Sequence, residues 1–152
     1  MSSCTFFGHR TAPEKVKSIL LSALVDLIEN NGVNIFYVGN HGGFDAMVKN
    51  VLSDLSKQYD ITYHVVLAYM PDKRSNSDYT DYSETLLPEG IETVPKRFAI
   101  TYRNKWMIQR ANYVITYVTN DIASGAAQFK RYAEKHGKTV IELSRQINAE
   151  IK

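Results

Sequence analysis

The residues best suited to chemistry fall in short clusters, each just after a run of β-branched and aromatic residues. The first is Gly8-His9-Arg10. Glycine permits a tight turn and a close backbone approach. The planar fork of Arg10 matches a phosphate or carboxylate. Two duller roles are open as well: Arg10 pairs with a nearby acid, and His9 packs or caps. The second cluster is Gly39-Asn40-His41-Gly42-Gly43-Phe44-Asp45, with three glycines in five residues. A glycine-rich segment that opens a helix can aim backbone N–H groups and the positive helix end at an anion. It is neither a G-x-G-x-x-G fingerprint nor a G-K-[ST] phosphate loop. Asp45 either complements the helix dipole or accepts from a ligand hydroxyl. His41 lacks a second ligand or a triad partner in the sequence, so no metal site is expected. The third cluster, Thr119-Asn120-Asp121-Ile122-Ala123-Ser124-Gly125, again places small residues before a helix. Ser124 can cap that helix, and Gly125 leaves room for a second phosphate or sugar contact.

One further charge stands out. Ile100, Met107, Ile108 and Ala111 follow the spacing of a helix face, and Arg103 shares that stripe. An isolated buried charge is costly, so Arg103 must snorkel, pair, or point into a site. Lys105 and Arg110 lie off the stripe and read as a solvated face.

The elements that position these residues alternate. Strands are expected at 4–7, 33–38, 61–68, 113–118 and 139–143. They are continuously apolar or Thr/Tyr-rich, as in parallel sheets covered on both faces. A helical stripe runs through Val16, Ile19, Leu20, Ala23, Leu24, Leu27 and Ile28. Thr11 and Glu14 form a capping-box pattern before it, Pro13 sits in its first turn, and Gly32 ends it. A second stripe comprises Phe44, Met47, Val48, Val51, Leu52 and Leu55, and a fourth helix spans 123–136 with Gly137 as its stop. The order β-α-β-α-β, an insertion, then α-β-α-β implies parallel crossovers in an α/β sandwich. The insertion at 70–97 carries three of the four prolines and no clear period, and it reads as a mobile loop or a lid. The segment from 144 could form a short terminal helix.

Composition sets bounds. The 152 residues fit one domain over 1–152. One cysteine excludes a disulfide framework and a multi-Cys zinc site, and Cys4 reads as a buried small hydrophobe. With 18 Lys+Arg against 16 Asp+Glu, a dedicated nucleic-acid partner is not expected. No apolar run approaches the ~20 residues of a membrane span. The opening residues lack a signal-peptide pattern, so a cytoplasmic protein is expected.

On these residues the chain resembles the SLOG superfamily, the Rossmann-like group of Smf/DprA and LOG proteins. Cys4-Thr5-Phe6-Phe7-Gly8-His9-Arg10 is similar to the opening of small prophage-associated members with a T-G-H-R signature. The resemblance spans most of the chain outside 70–97 and the tail. It implies a three-layer sandwich with a mainly parallel five-stranded sheet, in the order 3-2-1-4-5. More distantly, Gly39 to Met47 and Arg103-Asn104-Lys105-Trp106-Met107 resemble segments of the LOG phosphoribohydrolases, which implies a phosphate or ribose contact for Arg103. The LOG P-G-G-x-G-T-x-x-E motif is not matched after the fourth strand: the diglycine is absent, and Gln128 falls nearest the expected glutamate. A neutral amide cannot do the work of that carboxylate.

Three functions are therefore weighed. The first is a sensor or binding module for a nucleotide or nucleotide-derived phosphorylated metabolite, held by Gly8, His9, Arg10, Gly39, Asn40, Gly42, Gly43, Asp45, Arg103, Ser124 and Gly125, with no metal or other cofactor. The second is an N-glycoside hydrolase acting on nucleoside monophosphates, for which Asp45, Asp121 or Glu84 could supply the carboxylate, with nothing in the sequence to place them. The third is DprA-like binding of single-stranded DNA, with tyrosines as stacking platforms. Against it, Tyr37, Tyr63, Tyr113 and Tyr117 lie in expected strands, where core packing explains them. The third helix, with Trp106, offers apolar surface for a homodimer.

Overall fold

A computed structural model describes residues 2–69, 85–119 and 125–146. The element order is β1 (Ser2–Gly8), α1 (Lys15–Asn31), β2 (Val33–Val38), α2 (Gly42–Leu55), β3 (Thr62–Val66), β4 (Thr85–Leu86), a 3₁₀ turn (Ile91–Thr93), α3 (Lys96–Arg110), β5 (Tyr113–Tyr117), α4 (Gly125–Lys135) and β6 (Thr139–Glu142). The six strands form one sheet in the order β4-β3-β2-β1-β5-β6. Every pairing is parallel.

This is the expected three-layer α/β sandwich with one strand more than expected. The extra strand, β4, lies inside the insertion, where Val65 and Val66 pair with Thr85 and Leu86. A two-residue strand has no period to detect. The insertion is thus partly regular: the 3₁₀ turn follows β4, and α3 already begins at Lys96. Residues 70–84 lie outside the described residues. Without β4, the order is the expected one.

Alternating side chains divide the sheet between two cores. Cys4, Phe6, Phe36, Val38, Ile115 and Tyr117 face the apolar stripes of α1 and α2. Phe7, Val66 and Val114 face Met107 and Ile108 of α3 and Phe129 and Ala133 of α4. Complete burial of a large apolar side chain contributes roughly 1.5–3 kcal/mol, so the fully buried Phe6, Phe36 and Phe44 are major anchors.

Helix ends follow glycine chemistry more than side-chain capping. At the end of α1, Gly32 has φ 68° and donates to Leu27 O. Gly137, after α4, also has positive φ. The Thr11/Glu14 capping box is not made: Glu14 is itself the cap residue of α1, without a side-chain bond. Instead, Val16 N–H donates to Pro13 O. In α3 the buried residues are Ala99, Arg103, Asn104, Met107 and Ile108. Ile100, expected on that stripe, is 39% exposed, because Ala99 takes the inward position one residue earlier. Among the described residues, no helix is long and apolar enough to cross a membrane.

Candidate functional site

The sheet order reverses direction beside β1, where the chain has built β2 and β3 on one side and later adds β5 on the other. Crevices beyond the carboxyl ends of strands at such a point are where open α/β sheets bind ligands. A cleft of about 420 Å³ lies there. Its apolar wall includes Phe7, Ile100, Met107 and Phe129, and its polar wall includes Arg10, His41, Asp45, Arg103 and Asn104. Phe7 and Phe129 stack with centroids 5.5 Å apart.

Arg103 is the centre of the polar wall. It is only 3% exposed. Its Nε donates to Asn104 Oδ1 at 3.0 Å. Its Nη1 donates to Asn40 Oδ1 at 3.1 Å and to Val66 O at 3.4 Å, and lies 3.1 Å from His41 Nδ1. All these acceptors are neutral. Among the described residues, no carboxylate lies within ion-pair distance of Arg103; the ion pairs are Lys57–Asp54 and Lys130–Glu142. Burial lowers the Arg103 guanidinium from its ordinary value, and the nearby Asp45 and Tyr69 oppose that shift. It nevertheless stays charged, as arginine does in proteins.

Because an arginine N–H can only donate, His41 Nδ1 is the acceptor, and the neutral ring carries its proton on Nε2. That Nε2 lies 3.5 Å from Tyr69 Oη. Burial, then the charges of Arg103, Arg10 and Lys49, lower the His41 imidazole below its usual range. Asp45 Oδ2 accepts from the His41 backbone N–H at 3.0 Å, so Asp45 closes the first turn of α2. Burial pushes the Asp45 carboxyl up, outweighing that bond and the charges of Arg103 and Lys49. Asp45 is the sole carboxylate among the described residues that line the cleft.

The glycines have close-packing roles. A Cβ on Gly39 would lie 2.8 Å from Asp45 Oδ2 and 3.1 Å from Arg103 Cζ, so its bare backbone lets these two groups converge. Gly43 N–H, expected to face a ligand, donates to Arg10 O at 2.6 Å. A Cβ on Gly43 would meet that oxygen at 2.5 Å, and one on Gly42 would lie 3.1 Å from Arg10 Cα. Gly8 packs beneath the ring of Phe44. The loop after β1 therefore occupies the start of α2, and the polar lining of the cleft comes from side chains.

His9 ties two strand ends together. Its backbone N–H donates to Tyr117 O at 3.3 Å, and its Nε2 accepts from Thr119 N–H at 3.0 Å. His9 also lines the cleft. Arg10 is exposed at the cleft rim, and Gly125 lines the far side at the start of α4. Asn120, Asp121 and Ser124 lie outside the described residues. Gln128 is exposed and does not line the cleft.

Sequence reasoning passed over Asn104, His41 as a ring acceptor, and Glu142. Glu142 is buried at the end of β6. It accepts from Thr116 Oγ1 at 2.7 Å, Val118 N–H at 3.0 Å, Ser144 N–H at 2.9 Å and Lys130 Nζ at 3.1 Å. Burial alone would raise its carboxyl, but the bonds from Ser144, Val118 and Thr116 outweigh burial and hold it below the usual range. It fixes the end of β5, just before His9 meets Thr119. The available signal was a lone charge ending an apolar strand.

Trp106 is half-buried, edge-on to Tyr37 at 5.7 Å, with the Arg110 guanidinium 3.8 Å above its ring. Phe98, at 51%, is the most exposed large apolar side chain of α3. Cys4 is fully buried, and burial drives its thiol far up, so it is inert. Among the described residues, no group of three or more His, Cys, Asp or Glu could hold a metal ion.

Fold and cleft together define a parallel α/β protein with a side-chain-lined crevice at its switch point. No protein-family model matches the chain, and no curated protein matches its sequence.

Proposed function

We propose that the chain binds a nucleotide or nucleotide-derived phosphorylated metabolite in this cleft, as a sensor or binding module of the SLOG type. The observation that carries the reading is Arg103: a buried cation on the cleft wall, held by neutral acceptors, with no carboxylate in ion-pair range among the described residues. An anion in the cleft would supply the missing charge, and Phe7, Phe129 and Met107 would cover an apolar ring. Isothermal titration against nucleotides, NAD derivatives and sugar phosphates tests it. At least one should bind, and Arg103→Met should weaken that binding. No binding by any, with Arg10→Ala indistinguishable from the parent, overturns the reading.

A second reading, N-glycoside hydrolysis, is favoured by one observation: Asp45 presents a carboxyl of raised pKa to the cleft. Such a group can give or take a proton, the role Gln128 cannot perform. Release of free base from nucleoside monophosphates, lost in Asp45→Asn, would establish it; no release would remove it. A homodimer through α3 would use Phe98 and Ile100 rather than Trp106. A monomeric mass by light scattering would dismiss it.

A further inference from the structure

We propose that His41 is the proton-coupled second donor of this anion site, taking up one proton from solvent when a phosphomonoester dianion reaches Arg103. The inference rests on the phosphorylated-ligand reading above and adds the charge state of the ligand it selects.

The geometry is specific. His41 Nδ1 and Arg103 Nη1 lie 3.1 Å apart. An oxygen that accepts from Nη1 therefore comes within reach of Nδ1. In the structure His41 must be neutral, since its Nδ1 lone pair accepts from Arg103. The groups facing it explain why. Arg103 from α3, Arg10 from the loop after β1 and Lys49 from α2 are cationic, and all three disfavour an imidazolium. Asp45 reaches the backbone N–H of His41 rather than its ring. Tyr69 Oη lies 3.5 Å from Nε2, and the Lys96 ammonium lies 5.0 Å from the Tyr69 ring centroid. Among the described residues, positive charge thus dominates around the ring.

A dianion reverses this balance. It gives Arg103 Nη1 a charged acceptor, which releases Nδ1 from its accepting role. Its second negative charge offsets the cations that kept the ring neutral. The imidazole then binds a solvent proton at Nδ1 and donates it as a second charge-assisted hydrogen bond. A monoanion, such as a carboxylate or a phosphodiester, satisfies Arg103 alone and leaves His41 neutral.

Calorimetric titration at pH 7 in two buffers of unlike ionisation enthalpy reads the proton directly. The probes are the four common ribonucleoside 5′-monophosphates, largely dianionic at that pH because the second ionisation of a phosphomonoester lies near ~6. Adenosine 3′,5′-cyclic monophosphate is the monoanionic control. The expected result is net proton uptake with a dianion and none with the cyclic monoanion, which binds roughly tenfold more weakly for want of one charge-assisted bond. His41→Asn keeps an acceptor for Arg103 and should bind the dianion roughly tenfold more weakly, without uptake. Binding without proton uptake, or uptake unchanged in His41→Asn, overturns the inference and leaves the phosphorylated-ligand reading standing. No binding by any of these dianions overturns the inference, and failure of the NAD derivatives and sugar phosphates as well overturns both.

Discussion

Replacing Arg103 by methionine separates a structural arginine from a ligand-binding one. Arg103 is 3% exposed, and removing such an ion from water costs several kcal/mol. Four neutral acceptors offset that cost: Asn104, Asn40, His41 and Val66. The Val66 contact, at 3.4 Å, is at the long limit of useful geometry. Asn40 is exposed and His41 only partly covered, so their polar groups regain water at small cost. Methionine therefore orphans one firmly buried acceptor, Asn104 Oδ1, at about 1–3 kcal/mol. It also abolishes the desolvation cost and keeps an apolar stem of similar size. The two effects nearly cancel, so unfolding in urea should shift by no more than about 1 kcal/mol, or about 2–4 °C in melting temperature for a chain of this size. Binding of a phosphorylated ligand should fall by roughly 30-fold or more, the usual result of truncating one partner of a buried charge pair. A variant destabilised by about 3 kcal/mol that still binds like the parent would refute the argument and make Arg103 a structural tie.

Glu142→Gln should cost about 2–3 kcal/mol in urea unfolding, since it leaves Lys130 without its carboxylate and turns an amide N–H₂ toward other donors; a loss under about 1 kcal/mol would contradict this. Acid stability should have two windows. The His41 imidazole is lowered from its ordinary 6.5, so the unfolded chain binds the extra proton and stability falls as pH drops below that value; His41→Asn should flatten this slope. The Glu142 carboxyl is lowered from 4.5, so its contribution is complete above that pH and is lost as pH falls through the folded value; Glu142→Gln should flatten the second slope, and an unchanged titration in either variant would refute its assignment. Gly43→Ala meets a backbone oxygen at 2.5 Å and should lose about 1–3 kcal/mol, whereas Gly39→Ala meets only the ends of Asp45 and Arg103 and should impair ligand binding more than melting; the reverse ranking would show that Gly39 serves the fold.

The fold was legible where hydrophobic period is strong. Continuous apolar strands and the stripes of α1 and α2 give the layers, and Gly32 and Gly137 mark the helix ends. Legibility failed where contacts between distant residues decide. β4 exists because the exposed edge of β3 accepts two residues from the insertion, a pairing without local pattern. In α3, small Ala99 rather than Ile100 turns inward, and only packing against the sheet sets that phase. The site divides in the same way. The burial of Arg103 follows from helical spacing, but its acceptors on Asn40 and Val66 come from the far ends of β2 and β3. Glu142 shows in sequence only as a lone charge ending an apolar strand, because its donors, Thr116 Oγ1 and the backbone N–H groups of Val118 and Ser144, converge only in the fold.

The glycine-rich segment reads in sequence as a backbone anion cradle, yet the fold takes that backbone for itself. Arg10 O accepts from Gly43 N–H, and the Asp45 carboxylate accepts from His41 N–H. Two N–H groups at the start of α2 are thus committed before any ligand arrives. The glycines still matter to the cleft, because Gly39 lets Asp45 and Arg103 approach from different helices over a bare Cα. A backbone cradle binds any phosphate of suitable size, since every peptide N–H is alike. Arg103, Asp45 and His41 present a fixed cation, a carboxyl raised by burial and a titratable ring within one cleft. On the proposed reading, that arrangement would discriminate by charge and by hydroxyl placement, and the choice of ligand would rest on a few substitutable side chains while the glycines hold the frame.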